Sequence, residues 1–289
     1  MIKNLGLAGG GFFGIAHVAV LEELERYDIK LEKIRGVSVG SMVAALYAVG
    51  YTALELKEIV FELDFDSLIR DNYFAYYTLY ERFGMYMANA LEEKIEQLIR
   101  EKTLIKNCTF NQIKMDLSVI STNLNYQRAE FFNRDVTPNM PISKAVRMSI
   151  GYPGMIVPVL YKGDYFGDGG EFINYPISTF EDIDNTLGVT FAAHNENRNG
   201  TLKERIEINN IFDYVGAVTC TLSRSAYTSQ ITDKYLARSI VVHITNNISS
   251  MQFDLTLDQK KYIYECGILA AREQLPGLTH GHERRSDSS

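Results

Sequence analysis

Twice within its first fifty residues this chain runs from a short apolar segment through glycines into a helical pattern. Residues 3–8 (KNLGLA) read as a strand and Gly9-Gly10-Gly11 as a turn. Residues 14–27 then read as a helix, with Ile15, Val18, Ala19, Leu21 and Leu24 at helical spacing. The pattern repeats with a strand over 31–37, a turn at Gly36-Val37-Ser38-Val39-Gly40 and a buried helix over 39–49. Strand, turn and helix in this alternation pack as parallel strands joined by crossover helices, so the expected class is α/β.

Downstream, residues 52–104 read as mostly helical, most clearly 87–101, where Leu91, Ile95, Leu98 and Ile99 share a face. Strands are expected at 117–122, 128–132, 187–193 and 239–244, with two more joined at Lys162-Gly163-Asp164. A helix is expected over 141–149, with Pro141 in its first turn, and a last one over 256–275, stopped by Pro276-Gly277. The expected organisation is one domain over 1–277 and a disordered polar tail over 278–289. Residues 181–289 carry no motif that points to a function.

The composition narrows the partners. A net charge of -7 argues against nucleic acid and against a polybasic membrane anchor. Three dispersed cysteines, Cys108, Cys220 and Cys266, without a C-x-x-C pair, suggest neither a zinc cluster nor a redox pair, and fit a reducing compartment. The glycine-rich start does not read as a signal peptide, and no run of about 18 apolar residues reads as a membrane span. The expected location is cytoplasmic or at the periphery of a membrane.

Three segments carry chemistry. Gly36-Val37-Ser38-Val39-Gly40 matches G-x-S-x-G between a strand and a helix, a strained turn that exposes the serine hydroxyl; flanking Gly36 and Gly40 let neighbouring backbone pass closely. Gly9, Gly10 and Gly11 can converge backbone N–H groups on an oxyanion. Their rival reading is a dinucleotide fingerprint, since Gly9-x-Gly11-x-x-Gly14 also fits. That fingerprint wants an acidic residue closing the second strand, which here ends at Ser38, while Asp28 and Glu32 lie before it or at its start. The oxyanion reading is therefore favoured.

Ser38 needs a base. His17 falls in the first helix and reads as packed. His194 and His243 sit at or in strands without a distinctive setting, and His280 and His282 lie in the tail. Asp168, in Tyr165-Phe166-Gly167-Asp168-Gly169-Gly170, ends a strand between glycines and can take a serine proton directly if within reach. By itself the D-G pair reads as a hairpin turn.

Taken in order, the glycine triplet, G-x-S-x-G and the late Asp168-Gly169-Gly170 resemble the patatin-like phospholipases. Further resemblance lies in Thr109-Phe110, Leu117 to Leu124, Ala145-Val146-Arg147-Met148-Ser149 before Pro153, and Asn174 and Pro176, so that it spans roughly residues 4–180. The resemblance implies a three-layer α/β/α fold with a central, mostly parallel sheet. It implies a Ser38–Asp168 dyad without histidine, an oxyanion hole from Gly9, Gly10 and Gly11, and hydrolysis of acyl esters of phospholipids or similar lipids with no metal or cofactor. Phe13 departs from the Lys or Arg usual in the family, and Met148 from its Ala; an inactive lipid-binding module is the alternative these departures support. Finally, 72–87 (NYFAYYTLYERFGMYM) is dense in tyrosine and phenylalanine. Such side chains suit a boundary between apolar and wet surroundings, so the segment is expected either to cover an acyl-chain entrance in contact with a membrane or to pack between helices.

Overall fold

A computed structural model of the chain describes residues 1–70, 75–193, 207–209, 211–246 and 248–280. The elements in order are β1 (Asn4–Leu7), α1 (Ile15–Arg26), β2 (Lys33–Val37), α2 (Val39–Ala48), α3 (Ala53–Glu62), α4 (Phe65–Ile69), α5 (Ala75–Arg82), β3 (Gly84–Tyr86), α6 (Asn89–Thr103) and β4 (Asp116–Asn123). They continue with β5 (Arg128–Phe132), α7 (Ile142–Ser149), β6 (Gly154–Ile156), β7 (Val159–Tyr161), β8 (Asp164–Gly167), β9 (Thr186–Ala193), α8 (Ile211–Gln230), α9 (Asp233–Leu236), β10 (Ser239–Ile244) and α10 (Leu257–His280).

The fold is α/β around a central mixed sheet of eight strands in the order β10-β9-β1-β2-β4-β8-β7, with β5 also paired to β4. Its middle is parallel, from β10 through β9, β1 and β2 to β4. Antiparallel pairing begins at β4, which takes β5 and β8, and β8 takes β7. The parallel strands are buried on both faces: Leu5, Leu7, Ile34, Leu117, Val119, Leu187, Val189, Ile240 and Val242 are sealed from solvent. Strands covered on both sides read as continuous apolar runs rather than alternating ones. β1 and β2 end side by side, with Leu7 opposite Gly36 in register. Their two following turns, the glycine loop and the Ser38 elbow, therefore lie on the same edge of the sheet, where open α/β folds place their ligands.

Three expectations need correction. The helical stretch 52–104 is broken by β3, which pairs in parallel with β6 in a separate two-stranded sheet. Arg147 of α7 fastens this addition, donating to the carbonyls of Met87 (2.5 Å) and Val157 (2.8 Å). Pro276 does not stop the last helix, which continues to His280 and takes in residues 278–280 of the expected tail. Proline removes one helical hydrogen bond there, while buried Leu275 and the Arg238 guanidinium on the Leu278 carbonyl (3.3 Å) hold the last turn in place. Residues 281–289 lie outside the described residues. α8 was not anticipated at all, because its exposed face mixes apolar and polar residues: Ile211, Tyr214, Val218 and Leu222 all face solvent. Among the described residues, no helix is long and apolar enough to cross a membrane.

Candidate active site

Ser38 sits between β2 and α2 with φ 51° and ψ -128°. A non-glycine residue with positive φ is costly and persists only where its surroundings over-determine it. The surroundings here are glycines and hydroxyls. A Cβ on Gly36 would run into the Gly40 carbonyl, and one on Gly40 into the carbonyls of Leu7 and Ala8. The Ser38 N–H donates to Ser149 Oγ (2.9 Å), Ser149 Oγ donates to the Ile120 carbonyl of β4 (2.5 Å), and Ser41 Oγ donates back to the Ser38 carbonyl (2.6 Å). Ser149 thus clamps the elbow to the sheet; it was visible in the sequence only as part of a motif.

Asp168 follows β8 and begins a short 3-10 turn over Gly169–Glu171. Ser38 Oγ donates to its Oδ2 at 2.7 Å, across 130 residues of sequence. Its Oδ1 accepts the Gly170 N–H at 2.8 Å, and its own N–H donates to the Gly151 carbonyl at 3.0 Å. Gly169 is packed so closely on the Ile120 carbonyl that no side chain fits. Burial raises the Asp168 carboxyl to about 6, against the downward pull of the Ser38 hydroxyl and the Gly170 N–H. It stays mainly ionised at neutral pH and can accept a proton from its partner.

The glycine loop borders both groups. A Cβ on Gly9 would lie 3.3 Å from Ser38 Cβ and collide with Asn174 Oδ1. Gly9 is not a donor to an incoming oxyanion as expected, because its N–H already donates to the Asn174 carbonyl at 3.0 Å. Phe12 N–H is likewise taken, by the Ser250 carbonyl at 2.8 Å. Gly10 packs against the Phe191 ring, and Gly11 has φ 52° beneath the Ser250 carbonyl. Phe13, where a cation was the family expectation, is buried with its ring against Phe191.

These groups line one end of a cavity of about 520 Å³, within the range usual for ligand sites. Apolar side chains of α2, α3, α4 and α6, including Met42, Val60, Phe65, Ile69 and Leu91, line much of the remainder. Three groups in the lining went unread in the sequence. Glu171, next to Asp168, has its Oε1 sealed from solvent without a hydrogen-bond partner. Burial, then the Asp168 charge, push its carboxyl up to about 8, so it is largely protonated at neutral pH. Tyr152, from the loop after α7, contacts Cys220 of α8, with O and S 3.3 Å apart. The only available signals were the acid following D-G-G and the tyrosine after α7, neither diagnostic alone.

The histidines stand apart from the pair. His17 is buried as expected, its Nε2 2.9 Å from the Ala8 carbonyl and its ring 4.6 Å from that of Phe191; burial lowers it to about 4. His243 is exposed on β10. His194 and His282, like Tyr73 and Phe74, lie outside the described residues, and the His280 side chain is not described. Of the aromatic segment's described residues, Tyr76, Tyr77 and Tyr80 on α5 are 73%, 68% and 81% exposed, while Tyr86 packs against the core. No described residue of 75–87 is among those that line the cavity, and residues 72–74 lie outside the described residues.

Among known proteins, the chain is 55% identical over 278 residues to the uncharacterised protein R571 of Acanthamoeba polyphaga mimivirus, covering 95% of this chain and 94% of that one. It is 26% identical over 181 residues to the probable lipid hydrolase 463L of Invertebrate iridescent virus 6, covering 61% and 62%. Its fold is similar to that of VipD from Legionella pneumophila, with a TM-score of 0.61 at 17% identity over 96% of this chain and 67% of the other. A family profile, patatin-like phospholipase, matches residues 5–180. That span opens with the first strand and encloses both the Ser38 elbow and the Asp168 turn, and by it the chain belongs to the patatin-like phospholipase family.

Proposed function

We propose that the chain is a serine lipid acyl hydrolase of phospholipase A or lysophospholipase type, with Ser38 as nucleophile and Asp168 as base. The observation that carries this reading is the 2.7 Å hydrogen bond from a hydroxyl on a positive-φ elbow to a buried carboxylate. In the first half-reaction the Ser38 proton passes to Asp168 and Oγ bonds to the acyl carbon. The oxyanion is held by the N–H groups of Gly10 and Gly11. The ester C–O bond then breaks, and the leaving alcohol or lysolipid takes the proton from Asp168. Water, deprotonated by Asp168, then attacks the acyl-enzyme; its oxygen leaves with the fatty acid and Ser38 regains a proton. The apolar arm of the cavity suits the acyl chain. Exposed Tyr76, Tyr77, Tyr80 and Phe83 form a surface suited to contact with a lipid interface.

Ser38→Ala and Asp168→Asn are each expected to lower kcat on a short-chain acyl ester by about 10⁴-fold or more, with the melting temperature showing that both variants fold. Covalent labelling by a fluorophosphonate is expected in the wild type and lost in Ser38→Ala. Turnover of either variant near the wild-type rate overturns the assignment, and a wild type that resists labelling favours an inactive lipid-binding module.

A further inference from the structure

Two carboxyls share one short turn. Asp168 opens it and Glu171 closes it, the Glu171 N–H donating to the Asp168 carbonyl at 3.3 Å. Asp168 has both carboxylate oxygens engaged, Oδ2 by the Ser38 hydroxyl and Oδ1 by the Gly170 N–H. Glu171 has neither support. Its Oε1 lies over Gly167, where an added Cβ would stand 3.4 Å from it, and is sealed from solvent without a hydrogen-bond partner. Oε2 is the oxygen left to meet the cavity that this residue lines.

A sealed oxygen with no donor carries its share of a negative charge at high cost, and the Asp168 charge beside it adds to that cost. The carboxyl therefore keeps its proton at neutral pH. In a neutral carboxyl one oxygen bears the hydrogen. Oε1 has no acceptor to give it to, so the O–H belongs on the cavity side. The other charged and titratable groups on this wall, and on α8 packed against the turn, are Tyr152, Cys220, Arg224 and Tyr227. Burial, then the contact with Cys220, hold the Tyr152 phenol well above its ordinary value, so it stays neutral. Asp168 and Glu171 thus lie side by side in opposite protonation states, the pattern that divides a base from an acid.

The oxygen of an ordinary alcohol leaves an ester readily only if a proton arrives as the C–O bond breaks. We propose that Glu171 is a second catalytic residue, a general acid that gives its proton to the leaving alkyl oxygen. The ester C–O bond breaks as that proton arrives and the alcohol departs neutral. The ionised Glu171 then takes up the proton that Asp168 received from Ser38. The Asp168 proton so reaches the alcohol by way of Glu171, and both carboxyls are restored before water attacks. The role rests on the acyl-hydrolase reading above and adds a residue to it.

The test compares the full chain as wild type and Glu171→Gln on 4-nitrophenyl octanoate and 1-octanoylglycerol, with melting temperatures showing that both fold. The two esters give the same acyl-enzyme, and kcat/KM reports its formation. Nitrophenolate leaves without a proton, whereas the glycerol oxygen needs one. Glu171→Gln is expected to lower kcat/KM on the glycerol ester by about 10²-fold more than on the nitrophenyl ester. Glu171 donates only while protonated and ionises as pH rises through about 8. Wild-type kcat/KM on the glycerol ester is therefore expected to fall above about pH 8, a limb absent on the nitrophenyl ester and in Glu171→Gln. Equal losses on the two esters, or no loss on either, overturn the role, as does a high-pH limb that persists in Glu171→Gln. A wild type that cleaves neither ester sinks the hydrolase reading itself. A wild type that cleaves both, with equal losses in Glu171→Gln, removes Glu171 alone.

Discussion

The wall of the cavity that carries Ser38 and Asp168 is set by backbone. Positive φ at Ser38, carbonyls of Leu7 and Ala8 pressed on Gly40, and the Ile120 carbonyl pressed on Gly169 leave no room for other residues. The wall contributed by α8 is set by side chains. Among its described residues, the 220–223–224–227 face is the one that lines the cavity. Chemistry that needs atoms held within tenths of an ångström belongs to the first kind of wall, where movement means a steric clash. Selection among substrates suits the second, where one side chain can change without disturbing the elbow.

The contrast breaks most sharply at Gly40. Gly40→Ala forces a Cβ onto two carbonyl oxygens and is expected to destabilise the fold by about 3 kcal/mol or more. Ser223→Ala on α8 is expected to stay within about 0.5 kcal/mol. Urea unfolding of both variants compares the walls directly, and similar losses would erase the distinction.

A pH profile sharpens the backbone-set side. Because Asp168 must be ionised to accept the Ser38 proton, and burial raises it to about 6, kcat/KM is expected to fall about tenfold per pH unit below about 6. A profile flat down to pH 4.5 removes Asp168 as the base.

Glu171 tests the same wall through stability. Its folded value of about 8 lies above the ordinary 4.5. Between those values the folded protein keeps a proton that the unfolded chain releases, so the wild type loses stability as pH rises through that window. Gln does not titrate. Glu171→Gln is therefore expected to give little gain at pH 4.5 and a gain on the order of 1–3 kcal/mol at pH 8. Thermal melts at both values check the sign, and a gain that shrinks toward pH 8 contradicts it.

The smallest effect concerns the surface outside both walls. Tyr76→Ala with Tyr77→Ala is expected to weaken co-sedimentation with liposomes by a few-fold, leaving turnover of a soluble short ester near wild type. Unchanged sedimentation rejects a membrane role for α5.

How much could be read in advance followed from how each region is specified. The first two strand-turn-helix units and the strand before Asp168 were legible because glycines and apolar runs leave a local mark. The aromatic segment was left between two readings because composition reports aromatic side chains without saying which way a helix turns them; α5 directs Tyr76, Tyr77 and Tyr80 outward. α8 passed unseen because most of its described apolar residues face solvent, which blurs the helical period. Glu171 carries no motif, and only its neighbours give it meaning.

The order of residues alone determined the two turns that open toward one edge of a sheet and the residue types that could serve there, since torsional restriction and Cβ clashes act between near neighbours. Tertiary structure alone decided that Gly9 spends its N–H on Asn174, that a carboxyl 130 residues away meets the serine, and which later helix shares their cavity. Those outcomes depend on long-range packing and burial, where the partner of each group lies far away along the chain and is chosen by the fold as a whole.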